Sequence, residues 1–341
     1  MTESTKYPDY IQTLLDPAIY PHPVEAVELV QTHISFVLLA GDFVYKFKKP
    51  VNFGFLDFST LEKRKQCCEQ ELILNRRLCP DIYLGLVRVT VDNGTLVLDG
   101  RGEVVEYGVK MVRMPEDRMM GRIIERGELN RDHILSLVDV LVPFYERADR
   151  NAEIDGYGSA EAVAVNVLEN FDQTREFIGG GALKPEQFDR ISSYARSFLA
   201  REELFDARIE KGRIRDCHGD LYSANICLAD KVYIYDCIEF NRRFRYCDVA
   251  SDVAFLAMDL DFHGLQDLSA LFIEEFCKKS GDDTLTGMLT FYACYRAYVR
   301  GKIGLFTAGD PSVDEKVKEK NLDMARRYFV LAEQYARQEN G

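Results

Sequence analysis

The stretch His218-Gly219-Asp220-Leu221-Tyr222-Ser223-Ala224-Asn225, followed eleven residues later by Asp236, is the densest polar cluster of the chain. Between them, Asn225-Ile226-Cys227-Leu228 and Lys231-Val232-Tyr233-Ile234-Tyr235 read as a short strand pair turning at Ala229-Asp230. An Asp, an Asn five residues on, and a second Asp beyond a β-hairpin is the arrangement that phosphoryl transfer to a hydroxyl requires. Asp220 would accept or orient the proton of the attacking hydroxyl. The amide oxygen of Asn225 and the carboxylate of Asp236 are the hard oxygen ligands that Mg²⁺ prefers, and a rigid hairpin would fix them in place. The blander reading is a polar loop whose carboxylates only cap helix ends.

Working toward the N-terminus, the apolar runs alternate with turn signals. Residues 9–16 form an amphipathic stretch ended by Pro17, and Pro21-His22-Pro23 breaks the chain again. Val27–Val30, Phe36–Ala40 and Phe43–Lys48 read as strands, the last two joined at Gly41-Asp42. A charged helix is expected from about Thr60 to Leu78, closed by Pro80. Leu86–Val91, Thr95–Leu98 and Val104–Met114 follow as antiparallel strands, with Asp92-Asn93-Gly94 as a turn.

Beyond residue 114 the pattern is mostly helical, with helices expected near 131–149, 158–177, 185–208, 265–279, 285–305 and 313–338. Gly179-Gly180-Gly181 lacks the G-x-x-x-x-G-K-[ST] spacing and reads as a loop, not a P-loop.

The 341 residues exceed one compact core and indicate two domains or one two-lobed unit. Lys plus Arg is 43 against 56 Asp plus Glu, a net charge of −13, which speaks against nucleic acid as a partner. The excess is uneven: residues 1–114 carry 15 acidic and 13 basic side chains, and the remainder 41 and 30. No run of 18 apolar residues and no apolar leader occurs, so neither a membrane span nor a signal peptide is expected. The nine cysteines form no C-x-x-C pair, and the ten-residue interval of Cys217, Cys227, Cys237 and Cys247 fits no zinc site. Free thiols point to the reducing cytoplasm.

The H-G-D-x-x-x-x-N motif with its following Asp resembles that of the aminoglycoside phosphotransferase, choline kinase and fructosamine kinase group, which shares the protein-kinase fold. Thr32-His33-Ile34-Ser35, Tyr45–Asp57, Asp236-Cys237-Ile238-Glu239-Phe240 and Ala257–Asp261 are similar to a bacterial branch of that superfamily. Many members of that branch carry a further P-loop kinase domain, which these 341 residues lack. The resemblance spans roughly residues 20–335. It implies an α+β, two-lobed protein-kinase-like fold: a small antiparallel β-sheet N-lobe with one helix, and a larger, mainly helical C-lobe. The expected division is 1–26 as an N-terminal helical extension, 27–114 as the nucleotide-binding N-lobe and 115–341 as the C-lobe. The active site is expected in the cleft between the lobes.

The resemblance also implies site roles. His218 and Asp220 belong to the catalytic loop. Lys46 on the third strand would hold the nucleotide phosphates, oriented by Glu71 of the following helix, with Lys48 and Glu69 as the alternatives. Ser35 or His33, with turn amides, would cover the phosphates in place of the absent G-x-G-x-x-G loop. Met111 through Met114 occupies the hinge where adenine meets backbone groups. Asn225 and Asp236 would bind Mg²⁺, with Glu239 close to the metal or holding an arginine. Asp248 and Asp252 would brace the catalytic loop.

The implied activity is an ATP- and Mg²⁺-dependent transfer of the γ-phosphate to a hydroxyl of a small molecule. The alternatives are protein phosphorylation or nucleotidyl transfer on the same fold, and a non-catalytic nucleotide-binding scaffold. The presence of every expected polar residue argues against the scaffold. Acidic candidates for a cationic acceptor are Asp259, Asp261 and Asp282-Asp283. Arg296 and Arg300, one helical turn apart with Lys302 nearby, would suit an anionic one. The motifs leave both acceptor charge and oligomeric state open.

Overall fold

The computed structural model describes residues 7–311 and 313–338. In chain order the elements are α1 (Asp9–Leu14), β1 (Val27–Gln31), β2 (Ser35–Ala40), β3 (Phe43–Lys48), α2 (Leu61–Asn75), β4 (Tyr83–Asp92), β5 (Thr95–Leu98), β6 (Glu103–Val112), α3 (Met120–Glu125), α4 (Arg131–Arg147), α5 (Ala152–Gly156), α6 (Ala160–Thr174), α7 (Pro185–Leu199), α8 (Glu202–Glu210) and β7 (Ile214–Asp216). There follow β8 (Ile226–Leu228), β9 (Val232–Ile234), α9 (Arg242–Arg245), β10 (Tyr246–Asp248), α10 (Val249–Phe262), α11 (Gln266–Ser280), α12 (Thr286–Gly309) and α13 (Glu315–Gln338). The fold class is the expected one, α+β, with an antiparallel sheet in the N-terminal part and helices dominating the C-terminal part. The chain divides into two compact units. One holds residues up to Met119 together with Cys227–Asn241, the other Met120–Ile226 together with the chain from Arg242.

In the first unit a six-stranded antiparallel sheet runs in the order β1-β2-β3-β6-β4-β5. Its tight connections follow from local chemistry. Gly41 sits at φ 58° in the β2–β3 turn, where a Cβ would lie 2.8 Å from the Pro23 carbonyl oxygen. Asn93 and Gly94 both adopt positive φ between β4 and β5, the conformation of a two-residue hairpin turn. Alternation sorts β3 into two faces: Tyr45 and Phe47 enter an apolar core with Ile11, Leu14 and Tyr20, while Lys46 and Lys48 point to the opposite face.

Helix α2 starts at Thr60, whose hydroxyl accepts the Lys63 N–H. Its buried face is Arg64, Cys68, Glu71, Leu72 and Asn75, at helical spacing. Three of those five positions are polar, and the two charged ones are compensated, Arg64 by Glu106 of β6 at 2.9 Å and Glu71 by lysines of β3.

In the second unit α12 packs against α10 and α13, and α4 against α11. The helix expected over 185–208 is two helices, α7 and α8, because Arg201 leaves helical geometry at φ −91° and ψ 61°. The break lets Phe198 and Phe205 both pack on Phe291, at ring separations of 4.4 and 5.8 Å. Helix α10 has no periodic signal in the sequence because 12 of its 14 residues are buried. All nine cysteines are free thiols. Among the described residues no helix is long and apolar enough to cross a membrane.

Candidate active site

In the second unit, the stretch 217–225 follows β7 and is tied down residue by residue. Asp252 of α10, fully buried, accepts the backbone N–H of His218 at 2.7 Å and of Gly219 at 3.0 Å, and the Tyr145 hydroxyl at 3.1 Å. Gly219 has φ 87°, a conformation that suits a residue without a Cβ. Arg296 of α12 donates to the Gly219 carbonyl at 3.0 Å and to Ser251 Oγ. Asp259 accepts the Ser223 N–H at 3.0 Å and so fixes the 3₁₀ turn Ser223–Asn225.

Within this frame the Asn225 amide donates to both the Asp220 carbonyl and its carboxylate, each at 2.9 Å. Asn225 Nδ2 is thereby spent on Asp220, and Oδ1 is the atom a hard cation would take. His218 is fully buried, and its Nδ1 accepts the Asp220 N–H at 3.2 Å, which places its ring proton on Nε2. Its contact with Asp220 is through the backbone. Asp248 caps α10 through the Ala250 N–H at 2.9 Å and pairs with buried Arg208 at 2.6 Å, so both Asp248 and Asp252 act as braces.

In the first unit, one side of β3 carries a buried ion cluster. Lys46 Nζ lies 2.9 Å from Glu71 Oε1 and 2.5 Å from Asp236 Oδ1. Lys48 Nζ lies 2.6 Å from Glu71 Oε2 and pairs with Glu239. Glu71 is therefore shared by both lysines, one on each oxygen. Glu69 is instead at the surface, 4.0 Å from Lys65. Burial works against the Lys46 charge, yet Asp236, Glu71 and Glu239 together raise its pKa well above the ordinary lysine value. Burial also opposes ionisation of Glu71, and the two lysines outweigh it, lowering its pKa. For Glu239 burial wins and its pKa rises. Two ammonium groups face three carboxylates, leaving one net negative charge in a nearly closed site.

Asp236 is the exposed member of the cluster, its side chain 43% accessible, and its backbone is left-handed at φ 63°. Asp tolerates that conformation better than most residues, but it persists only where the surroundings impose it. Here the Asp236 N–H donates to the Tyr83 hydroxyl at 3.3 Å and the Cys237 N–H to Asn75 Oδ1 at 2.9 Å. Asn75 in turn donates to the Glu71 carbonyl at 2.9 Å, so the end of α2 positions Asp236.

No family model matches the chain. A curated but uncharacterized protein of Mycobacterium tuberculosis (strain ATCC 25618 / H37Rv) is 36% identical over 325 residues, 92% of this chain. The chain spans 61% of the length of that relative. Among solved structures, a choline/ethanolamine kinase family protein from Mesorhizobium loti superposes with a TM-score of 0.51 at 12% identity, covering 93% of both chains. A thermostable mutant of aminoglycoside phosphotransferase APH(4)-Ia gives 0.52 at 8% identity, covering 94% of this chain and 96% of the other. The amicoumacin kinase hAmiN, solved with AMP-PNP, Ca²⁺ and Ami, gives 0.50 at 11% identity and covers 95% and 94%. The chain has the choline kinase and aminoglycoside phosphotransferase fold.

On that kinase-like frame the remaining expected residues have defined places. Ser35 begins β2 opposite Lys48, fully buried, with no hydrogen-bond partner for its hydroxyl. The turn before it closes on itself, since Thr32 Oγ1 accepts the N–H of Ile34 and of Ser35. Met111 is buried in β6, between β3 and β4. The next two amides are used, Val112 N–H by the Ile82 carbonyl and Arg113 N–H by the Asp42 carbonyl. Met114 is the first residue after β6 whose N–H makes no main-chain hydrogen bond among the described residues.

Sequence reading missed Asn75 and Tyr83 and left Glu239 undecided. The one signal available was the four-residue spacing from Glu71 to Asn75, which puts both on one side of α2.

Proposed function

We propose that the protein is an ATP- and Mg²⁺-dependent small-molecule kinase. The observation that carries this reading is the Lys46–Glu71–Asp236 cluster. It draws on β3, α2 and the chain after β9, and it is not implied by the H-G-D motif alone. Lys46 would hold the nucleotide phosphates, and Glu71 and Lys48 would keep its ammonium aimed. The backbone at Met114 would receive the adenine.

Asn225 Oδ1 and Asp236 would hold Mg²⁺. Their oxygen chemistry and the net negative charge of the cluster suit a hard divalent cation that takes its other ligands from phosphate and water. When bound, the ion neutralises charge on the phosphates.

Asp220, oriented through Asn225 and through the backbone contact of His218, accepts the proton of the acceptor hydroxyl. The hydroxyl oxygen bonds to the γ-phosphorus, the bond from that phosphorus to the β–γ bridging oxygen breaks, and ADP leaves. Ser35 is too deeply packed for a direct phosphate contact in this conformation. Cover of the phosphates would therefore fall to His33 of the turn between β1 and β2, whose Ile34 and Ser35 N–H groups are held by Thr32 Oγ1. The net charge and the absence of a long apolar helix among the described residues suit a cytoplasmic enzyme acting on a small molecule, with no nucleic acid or membrane partner.

The test is ATP turnover with Mg²⁺ across a panel of hydroxyl acceptors. Asp220→Ala should lower kcat by about 10²–10⁴-fold while ATP·Mg affinity, measured by titration calorimetry, is kept. Retained turnover in that variant sinks the assignment. Intact-mass measurement of products separates phosphoryl from nucleotidyl transfer.

A further inference from the structure

The acidic residues that would receive a cationic acceptor are already committed. Asp259 is buried and holds the Ser223 N–H, and Asp261 accepts the Tyr335 hydroxyl. Asp282 is buried against Arg208 at 2.5 Å, and Asp283 pairs with Lys211 at 2.7 Å. The cations of α12 divide differently. Arg296 is fully used, on the Gly219 carbonyl, Ser251 and the ring of Phe255. Lys302 donates to Gln173 at 2.8 Å.

Arg300, one turn beyond Arg296, has only the Tyr328 hydroxyl as a side-chain hydrogen-bond partner. Its guanidinium sits 4.6 Å from the ring centre of Tyr222 and 5.8 Å from that of Tyr328. Its Nε is buried without a hydrogen-bond acceptor, and no carboxylate among the described residues forms an ion pair with it. Tyr222 lies two residues after Asp220 and stacks on Phe255 at 5.3 Å, so the two rings hold the guanidinium beside the catalytic loop. A largely buried guanidinium without a counter-ion is costly, and its planar fork matches carboxylate and phosphate oxygens.

Resting on the kinase reading above, we propose that Arg300 receives the anionic group of the acceptor, which is therefore a small hydroxyl-bearing anion, a hydroxycarboxylate or a sugar phosphate. The Tyr222 and Tyr328 rings supply an apolar wall for its carbon skeleton. Burial opposes the Arg300 charge, and the tyrosines and Asp220 sustain it. The same field makes a cationic acceptor unfavourable at this position, since Arg300 would repel it and none of those four carboxylates is uncommitted.

The experiment is titration calorimetry of the full chain with inorganic phosphate, gluconate, glucose 6-phosphate, choline and glucosamine, each with and without ADP·Mg²⁺. At least one anionic probe should bind the wild type, and about tenfold more weakly to Arg300→Met. Gluconate against glucose 6-phosphate tells carboxylate from phosphate. Absence of anion binding, equal affinity in Arg300→Met, or binding of choline or glucosamine alone overturns the proposal. If Arg300→Met does not melt cooperatively, Arg300→Lys replaces it: severalfold weaker anion binding supports the fork, and unchanged affinity overturns it. Failure to bind ADP·Mg²⁺ while anions still bind counts against the kinase reading and leaves the Arg300 site standing.

Discussion

The ion cluster of the first unit and the 217–225 loop of the second are built on opposite principles. Around the loop, Arg300 apart, the charges have fixed internal uses: Asp252 takes two backbone N–H groups and a tyrosine hydroxyl, and Arg296 donates to a carbonyl and a serine. In the cluster, Lys46, Lys48, Glu71, Asp236 and Glu239 hold one another without balancing, and Asp236 stays half-open. The difference separates a frame from a receptor. A satisfied network keeps Asp220 in one place, whereas on the proposed reading the unbalanced cluster would gain its partner from a cation and phosphates.

That contrast can be broken experimentally. The largest effect is expected from Asp252→Ala, which strands buried N–H donors and leaves Arg296 without its nearest carboxylate, 3.8 Å away. Unfolding stability in urea should fall by about 3 kcal/mol or more, and a loss under 1 kcal/mol would show that the loop is held by something else. Asp236→Asn, which keeps the tolerance for left-handed backbone, should cost little stability but weaken ATP affinity in the presence of Mg²⁺ by about tenfold. A chelator should weaken the wild type to a similar degree, and if affinity with Mg²⁺ is unchanged in the variant, the cluster is not the metal site.

The smallest and sharpest effect concerns Glu71→Gln. Because burial opposes Glu71 ionisation and the two lysines overcome it, the folded pKa lies below the unfolded value of 4.5. The stability that Glu71 contributes is therefore present above about pH 4.5 and lost as pH falls through the folded value. Wild type and Glu71→Gln should differ by about 1–2 kcal/mol at pH 7 and converge only as the pH falls below about 4.5 toward the folded value. A constant difference down to pH 3 would mean that Glu71 acts through packing and not through charge.

Much of this was legible without a fold. The strands Phe43–Lys48 and Thr95–Leu98 emerge at their expected bounds because alternation and the Gly41-Asp42 and Asn93-Gly94 turns are local signals. Helix α10 and the three-residue strands β7 and β10 were not legible. The first is buried all round and has no polar face, and the others are too short for a period to show. The choice between Glu71 and Glu69 could not be read either. They lie two residues apart on one helix, and only the packing of α2 turns one inward and the other to solvent.

By itself the sequence determined the residue types at fixed spacing: His218-Gly219-Asp220, Asn225 five residues on, and Asp236 after a hairpin. Those are short-range relations, set by backbone geometry and side-chain chemistry. Tertiary structure alone decided that both Lys46 and Lys48 converge on Glu71, that Asn75 and Tyr83 pin Asp236, and that Arg300 is left without a carboxylate while Asp259, Asp261, Asp282 and Asp283 are taken. These are contacts between residues far apart in the chain. Such pairings depend on which faces the elements bury, and no local pattern encodes that.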